Sequence, residues 1–61
     1  MADVFVCIKP LDHLGFTLEN KYIRVEEIDT ILGLMNNNGD TVYFHKLNKS
    51  LYLYDYFLPD K

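Results

Sequence analysis

Hydrophobic and polar residues alternate along much of this chain, and alternation with a period of two is typical of β-strands. In the run over residues 3–9 both alternating sets are apolar, which predicts a strand that is either central in the sheet or covered on both faces. Pro10 ends that strand, because proline has no N–H for a sheet ladder. Extended runs at 14–18 and 22–25 predict two further strands, and the polar segment 36–40 predicts a turn.

Residues 25–35 carry two competing patterns. Strand-forming residues surround Gly33, which weakens a helix interior by about 1 kcal/mol. We therefore predict a single helical turn at 25–28 followed by a strand at 30–35. The alternative is a full helix over 25–35, which would make the fold α+β. Four apolar residues at the spacing of one helix face favour that alternative: Val25, Ile28, Leu32 and Met35.

The clearest hairpin signal lies near the C-terminus. Two β-rich runs, 41–47 and 50–56, are separated by two residues, and a two-residue loop sets the register of a hairpin. That register predicts one aliphatic face and one face of tyrosine and histidine side chains. The complete prediction is a mainly β, single-domain protein spanning 1–61. It is a small antiparallel sheet of four to five strands with a C-terminal hairpin and one short helical turn.

Composition adds that this fold is marginal in isolation. The chain has 61 residues, of which 49% are hydrophobic, and burial and ordering free energies nearly cancel at that size. A single cysteine, Cys7, excludes an internal disulfide and, within its apolar run, is expected to be buried. We therefore expect oligomerisation or a partner protein to add stability, and we expect the protein to be a homo-oligomer in isolation.

The charge of the chain limits the classes of ligand that we expect it to bind. Nine acidic and six basic residues give a net charge of −3, and the basic residues form no group larger than a close pair such as Lys46 and Lys49. Duplex nucleic acid is therefore an unexpected ligand. No segment is long and apolar enough to span a membrane, and no secretory signal opens the chain. The expectation is a cytoplasmic protein.

Residues that carry chemistry are sparse. The only serine, Ser50, lies at the predicted hairpin, and neither His13 nor His45 has zinc-ligand spacing to Cys7. We therefore expect no catalytic residue, no metal and no cofactor, and we expect that the protein is not an enzyme.

A family resemblance accompanies these patterns. Successive motifs resemble small flagellar-regulator proteins of the FlbD type, and the later strands resemble the LytTR DNA-binding domain. The resemblance covers about 15–53 and implies a strand, a turn, a second strand and a hairpin, but no functional residue. The chain departs from the family at Asn48-Lys49, where an Asn-Gly turn is usual, and at its aromatic, proline-containing end. The motifs are Gly15–Leu18, Tyr22–Ile31, Asp40–Phe44 and Asn48–Leu53.

Tyrosine is the most informative residue type, with five copies and no tryptophan. One aromatic face of the hairpin is either core or an exposed contact surface, and tyrosine is favoured at protein interfaces. The predicted function is a regulator or inhibitor that binds another protein, as short phage-encoded factors do. The alternative is single-stranded nucleic-acid or nucleotide binding with help from Lys46 and Lys49. The predicted partner-binding residues are Tyr43, His45, Tyr52, Tyr54 and Tyr56.

Overall fold

The computed structural model describes residues 3–48 and 50–60, and these residues form one five-stranded antiparallel sheet. The strand order is β4-β3-β2-β1-β5, so four strands meander in sequence order and the last strand returns to pair with the first. A mainly β, antiparallel fold is thereby confirmed. The strands are β1 (Val4–Cys7), β2 (Lys21–Ile28), β3 (Ile31–Met35), β4 (Thr41–His45) and β5 (Phe57–Asp60); a 3₁₀ turn covers Asp12–Leu14, and a short helix, α1, covers Leu53–Tyr56.

The inner face of the curled sheet encloses the hydrophobic core. Phe16 lies at its centre, fully buried, although it belongs to the β1–β2 connection and not to a strand. Its ring makes edge contacts with Tyr22, Phe57 and Phe44, at centroid distances of 4.8, 5.2 and 5.6 Å. One aromatic side chain therefore joins β2, β4 and β5. The other buried core residues are Phe5, Cys7, Leu11, Leu32, Leu34 and Leu53.

A β-bulge in β2 changes which side chains face inward. The register shifts between Arg24 and Glu26, so Arg24 pairs with Leu34 whereas Glu26 pairs with Gly33. Because a bulge inserts one residue, alternation is reset and Arg24 and Glu27 come to share a face. The Arg24 guanidinium accordingly donates to the Glu27 carboxylate at 2.8 Å.

The helical predictions for residues 25–35 are wrong, both the single turn at 25–28 and the full helix. β2 continues through Ile28, the chain turns at Asp29 and Thr30, and β3 begins at Ile31. The strand predicted at 30–35 is confirmed as β3. Sheet pairing decided the outcome, because the buried residues Leu32 and Leu34 follow a period of two.

The strand predicted at 14–18 does not form. A 3₁₀ turn ends at Gly15, which takes the left-handed conformation with φ 87°, and Leu11 bridges Phe16. The predicted turn at 36–40 is confirmed, and it holds this connection in place. Asn36 Nδ2 donates to the Leu14 carbonyl at 2.8 Å, and the Asn37 N–H donates to the Gly15 carbonyl at 2.8 Å. One side-chain amide and one backbone N–H of the turn therefore satisfy carbonyl groups that a strand would have paired.

The prediction of a C-terminal hairpin over 41–56 is also wrong. Its first strand forms as β4, but α1 and β5 replace the second strand, and the part of the prediction that falls on Lys49 lies outside the described residues. Leu53 and Phe57 are four residues apart and both fully buried, which is the spacing of one side of a helical turn. The aromatic end then packs back onto the sheet, where Phe57 pairs with Cys7 of β1.

Candidate interaction surface

The outer face of the sheet carries most of the predicted tyrosine and histidine residues. Tyr43 and His45 lie two residues apart on β4, on the face opposite the buried Phe44. His45 pairs with Ile31 of β3 on one side and forms a parallel bridge to Tyr52 on the other. Since paired residues project to the same face of a sheet, Tyr52 extends the outer face beyond β4.

The last two predicted partner-binding residues, Tyr54 and Tyr56, lie in different places. The Tyr54 ring packs edge-on against Tyr52, with centroids 5.8 Å apart, and is 41% exposed. Tyr56 packs instead against the hydrophobic core, and the Lys9 ammonium lies 5.9 Å from its ring centroid. The helical turn separates the tyrosines that a strand would have aligned. We call the group that the structure brings together the tyrosine surface: Tyr43, His45, Tyr52 and Tyr54.

Gly33 determines how Tyr43 lies on this surface. A Cβ atom at Gly33 would come within 3.1 Å of the Tyr43 ring, so the ring crosses β3 closely over the glycine. The Tyr43 hydroxyl thereby reaches β2 and donates to Glu26 Oε1 at 2.8 Å. This hydrogen bond to a carboxylate raises the pKa of the Tyr43 phenol. Tyr43 is 48% exposed, so its other side remains open to a partner.

Sequence reasoning missed four residues that adjoin the tyrosine surface. Ile28, Ile31 and His45 form one cross-strand row, and Glu26, Gly33 and Tyr43 form the next. The first row adds two aliphatic side chains to the aromatic ones, and Ile28 is 56% exposed. A glycine inside a strand pattern was the available signal, since it often marks a close approach. The missed residues are Glu26, Ile28, Ile31 and Gly33.

Lys46, a predicted nucleic-acid contact, is engaged in an ion pair at the opposite side of the sheet. Its ammonium contacts the Glu27 carboxylate, which also accepts from Arg24. Arg24 in turn contacts Asp3. Two residues of β2, the residue before β1 and the residue after β4 thus form one partly exposed charge cluster. Lys49, the other predicted contact, lies outside the described residues.

This cluster predicts an acid-sensitive contribution to stability. Hydrogen bonds from Lys46 and then from Arg24 lower the pKa of Glu27 below its ordinary value. A group with a lowered folded-state pKa stabilises the fold above its unfolded pKa, and that contribution disappears as the pH falls through the folded pKa. In urea unfolding at successive pH values, Glu27→Gln should be less stable than the parent near neutrality and should approach it in acid.

The matched control is Glu19→Gln, because Glu19 has no ion pair within residues 3–48 and 50–60. That variant should keep the acid-induced loss of stability seen in the parent. A difference between Glu27→Gln and parent that stays constant down to strong acid would show that the cluster contributes through packing and not through charge.

The single thiol of the chain lies inside the hydrophobic core. Cys7 is buried and donates through Sγ to the Lys9 carbonyl at 3.0 Å, and burial raises the pKa of its thiol. Across the described residues, no three His, Cys, Asp or Glu side chains group closely enough to hold a metal ion. The helices in that part of the chain are also too short to cross a membrane.

No family model, no curated protein and no solved structure matches this chain. The resemblance to FlbD-type regulators therefore stays a prediction, and the tyrosine surface is interpreted from its own geometry.

Proposed function

We propose that the protein is a non-enzymatic interaction module that regulates or inhibits a partner protein through the tyrosine surface. The observation that supports this function is the joining of Tyr43, His45, Tyr52 and Tyr54 on a sheet face that its own core does not use. Tyrosines bring large contact areas and a hydroxyl at a small cost in side-chain entropy, which suits them to interfaces.

The neighbourhood of the surface supports a protein ligand. Ile28 and Ile31 continue the aromatic surface as an aliphatic strip, so an apolar centre is bordered by polar groups. Glu26 forms part of that border and holds the Tyr43 hydroxyl. A rigid apolar centre with a polar rim is the usual composition of a protein interface.

Single-stranded nucleic acid receives less support as the ligand. Base stacking on tyrosines needs nearby cations to hold the phosphates. Lys46 is paired with Glu27, and Glu26 adds negative charge to the tyrosine surface itself. We therefore favour a protein over a nucleic acid.

The proposal is tested by native mass spectrometry of tagged protein purified gently from its native cells. We expect a stoichiometric protein partner with the parent chain. Tyr43→Ala/Tyr54→Ala should lose that partner, because both replaced rings are exposed and the hydrophobic core is untouched. Circular dichroism of each variant verifies that the fold is retained.

The matched control is Ile23→Ala/Leu58→Ala, which removes two side chains that are 64% and 50% exposed on the β2–β1–β5 half of the outer face. This variant should keep the partner. Equal loss of the partner in both double variants, or equal retention, would contradict the assignment to the tyrosine surface. A homo-oligomer that the tyrosine substitutions dissociate would instead assign this surface to self-assembly.

A further inference from the structure

The two edges of the sheet differ in the hydrogen-bonding groups that they leave available. Successive residues of an edge strand point their N–H and C=O groups alternately toward and away from the neighbouring strand. The Ile8 N–H donates to the Tyr56 carbonyl, so Phe57 and Pro59 point away from β1. The Phe57 N–H donates to the Leu53 carbonyl and proline has no N–H. The edge of β5 therefore offers no free donor.

The edge of β4 is different. The Asn36 N–H donates to the Asp40 carbonyl across the β3–β4 turn, and the His45 N–H points the other way, to the Leu51 carbonyl at 2.9 Å. By alternation, Thr41 and Tyr43 direct their N–H and C=O groups away from β3. Within residues 3–48 and 50–60, no loop or side-chain acceptor bonds to either N–H.

β4 also lacks the features that usually protect an edge. Natural edge strands carry lysine, proline or inward-pointing charges that discourage pairing with another chain. β5 has Pro59 and Asp60, whereas Thr41–His45 contains no proline and no Asp, Glu, Lys or Arg. The edge that adjoins the tyrosine surface is thus the one open to a further strand.

We infer that the edge of β4 binds an extended, basic segment of the partner protein as a sixth strand. Thr41 and Tyr43 would exchange backbone hydrogen bonds with that segment, and its side chains on the outer face would extend the tyrosine surface beyond β4. The inference rests on the proposed function and specifies the chemistry of the partner. Strand addition supplies affinity through the backbone, and side-chain contacts supply selectivity.

The charges around this edge favour a basic segment. Asp40 is exposed immediately before β4, and Glu26 accepts the hydrogen bond from the Tyr43 hydroxyl. The chain as a whole has a net charge of −3. Lysine or arginine in the added strand would therefore meet complementary charge.

A second copy of this chain fits the edge less well. A symmetric pair centred on Tyr43 would place the second copy's Thr41 beside His45, where Leu51 and Tyr52 already lie. Shifting the centre to Thr41 avoids that collision but makes the two Asp40 residues diagonal neighbours, roughly 7–8 Å apart. The partner strand is therefore assigned to another protein.

Amide hydrogen exchange measured by NMR tests the edge directly. In the free protein, the Thr41 and Tyr43 amides should exchange faster than those of Val42 and Phe44, which point toward β3. The probe is an acetylated, amidated hexapeptide, Lys-Val-Thr-Val-Thr-Lys, added at millimolar concentration. It should slow exchange at Thr41 and Tyr43 by about tenfold or more at saturation.

Two matched peptides separate backbone pairing from charge. In a second version of the peptide, N-methyl groups replace the hydrogens of the backbone N–H groups that would point toward β4. This version should bind at least about tenfold more weakly, because it cannot donate hydrogen bonds to β4. A peptide with glutamate in place of both lysines should also bind more weakly. On the protein, Thr41→Pro should reduce binding about tenfold, since it removes one outward N–H without touching the ladder to β3.

The outcomes distinguish this inference from the proposed function. Protected Thr41 and Tyr43 amides in the free protein, or a hexapeptide that leaves their exchange unchanged, would overturn strand addition. Peptide-induced shifts confined to the tyrosine side chains would also overturn it, while leaving the tyrosine surface as the binding site. Loss of both the native partner and peptide binding in Tyr43→Ala/Tyr54→Ala, with an intact fold, would support both.

Discussion

Phe16→Ala is expected to destabilise the protein by about 3–5 kcal/mol, the usual cost of removing a buried phenylalanine ring. Phe16 is 0% exposed and its ring contacts those of Tyr22, Phe44 and Phe57. The substitution therefore opens a cavity where three strands meet. A domain of this length has a free energy of unfolding of roughly 3–9 kcal/mol. Thermal and urea unfolding should accordingly show a protein that is partly or wholly unfolded at physiological temperature.

Leu18→Ala provides the control, because Leu18 belongs to the same connection but is 44% exposed. It should change the free energy of unfolding by less than about 0.5–1 kcal/mol. An equal effect of the two substitutions would contradict the central position of Phe16. The loss of near-ultraviolet circular dichroism in Phe16→Ala alone would mark the collapse of the aromatic cluster.

Gly15→Ala is expected to have the second largest effect, about 3 kcal/mol. Gly15 has φ 87°, and a left-handed conformation costs a residue with a Cβ about 1–2 kcal/mol. The added Cβ would also come within 2.8 Å of Asn36 Nδ2, which donates to the Leu14 carbonyl. Displacing Asn36 would break a part-buried hydrogen bond, and an unmade bond of that kind costs about 1–3 kcal/mol.

Gly39→Ala is a close control for this prediction. Gly39 has nearly the same φ, 84°, but a Cβ there would have no neighbour within 4 Å. Its replacement should therefore show only the backbone cost, about 1–2 kcal/mol. Urea unfolding of both variants measures the difference. Equal destabilisation would show that the contact with Asn36 carries no energy and that only the backbone conformation matters.

The Asn36 contact also explains why the outcome at residues 14–18 depended on distant residues. The sequence predicted a turn at 36–40, and that turn forms. Its asparagines bond not only to their own backbone, where Asn36 Oδ1 accepts from Asn38 and Asp40, but also to the β1–β2 connection 22 residues away. Local patterns do not report such long-range bonds, so a strand was predicted where a 3₁₀ turn lies.

Four of the five residues predicted to share one surface do lie together, but not through the hairpin from which they were predicted. A hairpin was expected to align all five residues on one strand pair. The structure joins Tyr43, His45, Tyr52 and Tyr54 through a parallel bridge and a ring contact, and it directs Tyr56 to the core. The spacing of Leu53 and Phe57 was visible in the sequence. Whether that spacing would produce a helical turn depended on which side of the segment faced the core.

The sequence by itself determined the class of fold and the residue types from which the tyrosine surface is built. Alternation at a period of two and a turn at 36–40 arise from interactions between near neighbours. The first strand, predicted to run to Pro10, ends earlier, at Cys7. Tertiary structure alone decided the bulge that sets Glu27 beside Arg24, the return of β5 to β1, and the unprotected edge at Thr41 and Tyr43. These features depend on strand pairings between residues far apart in the chain, where burial of a shared core outweighs local preference.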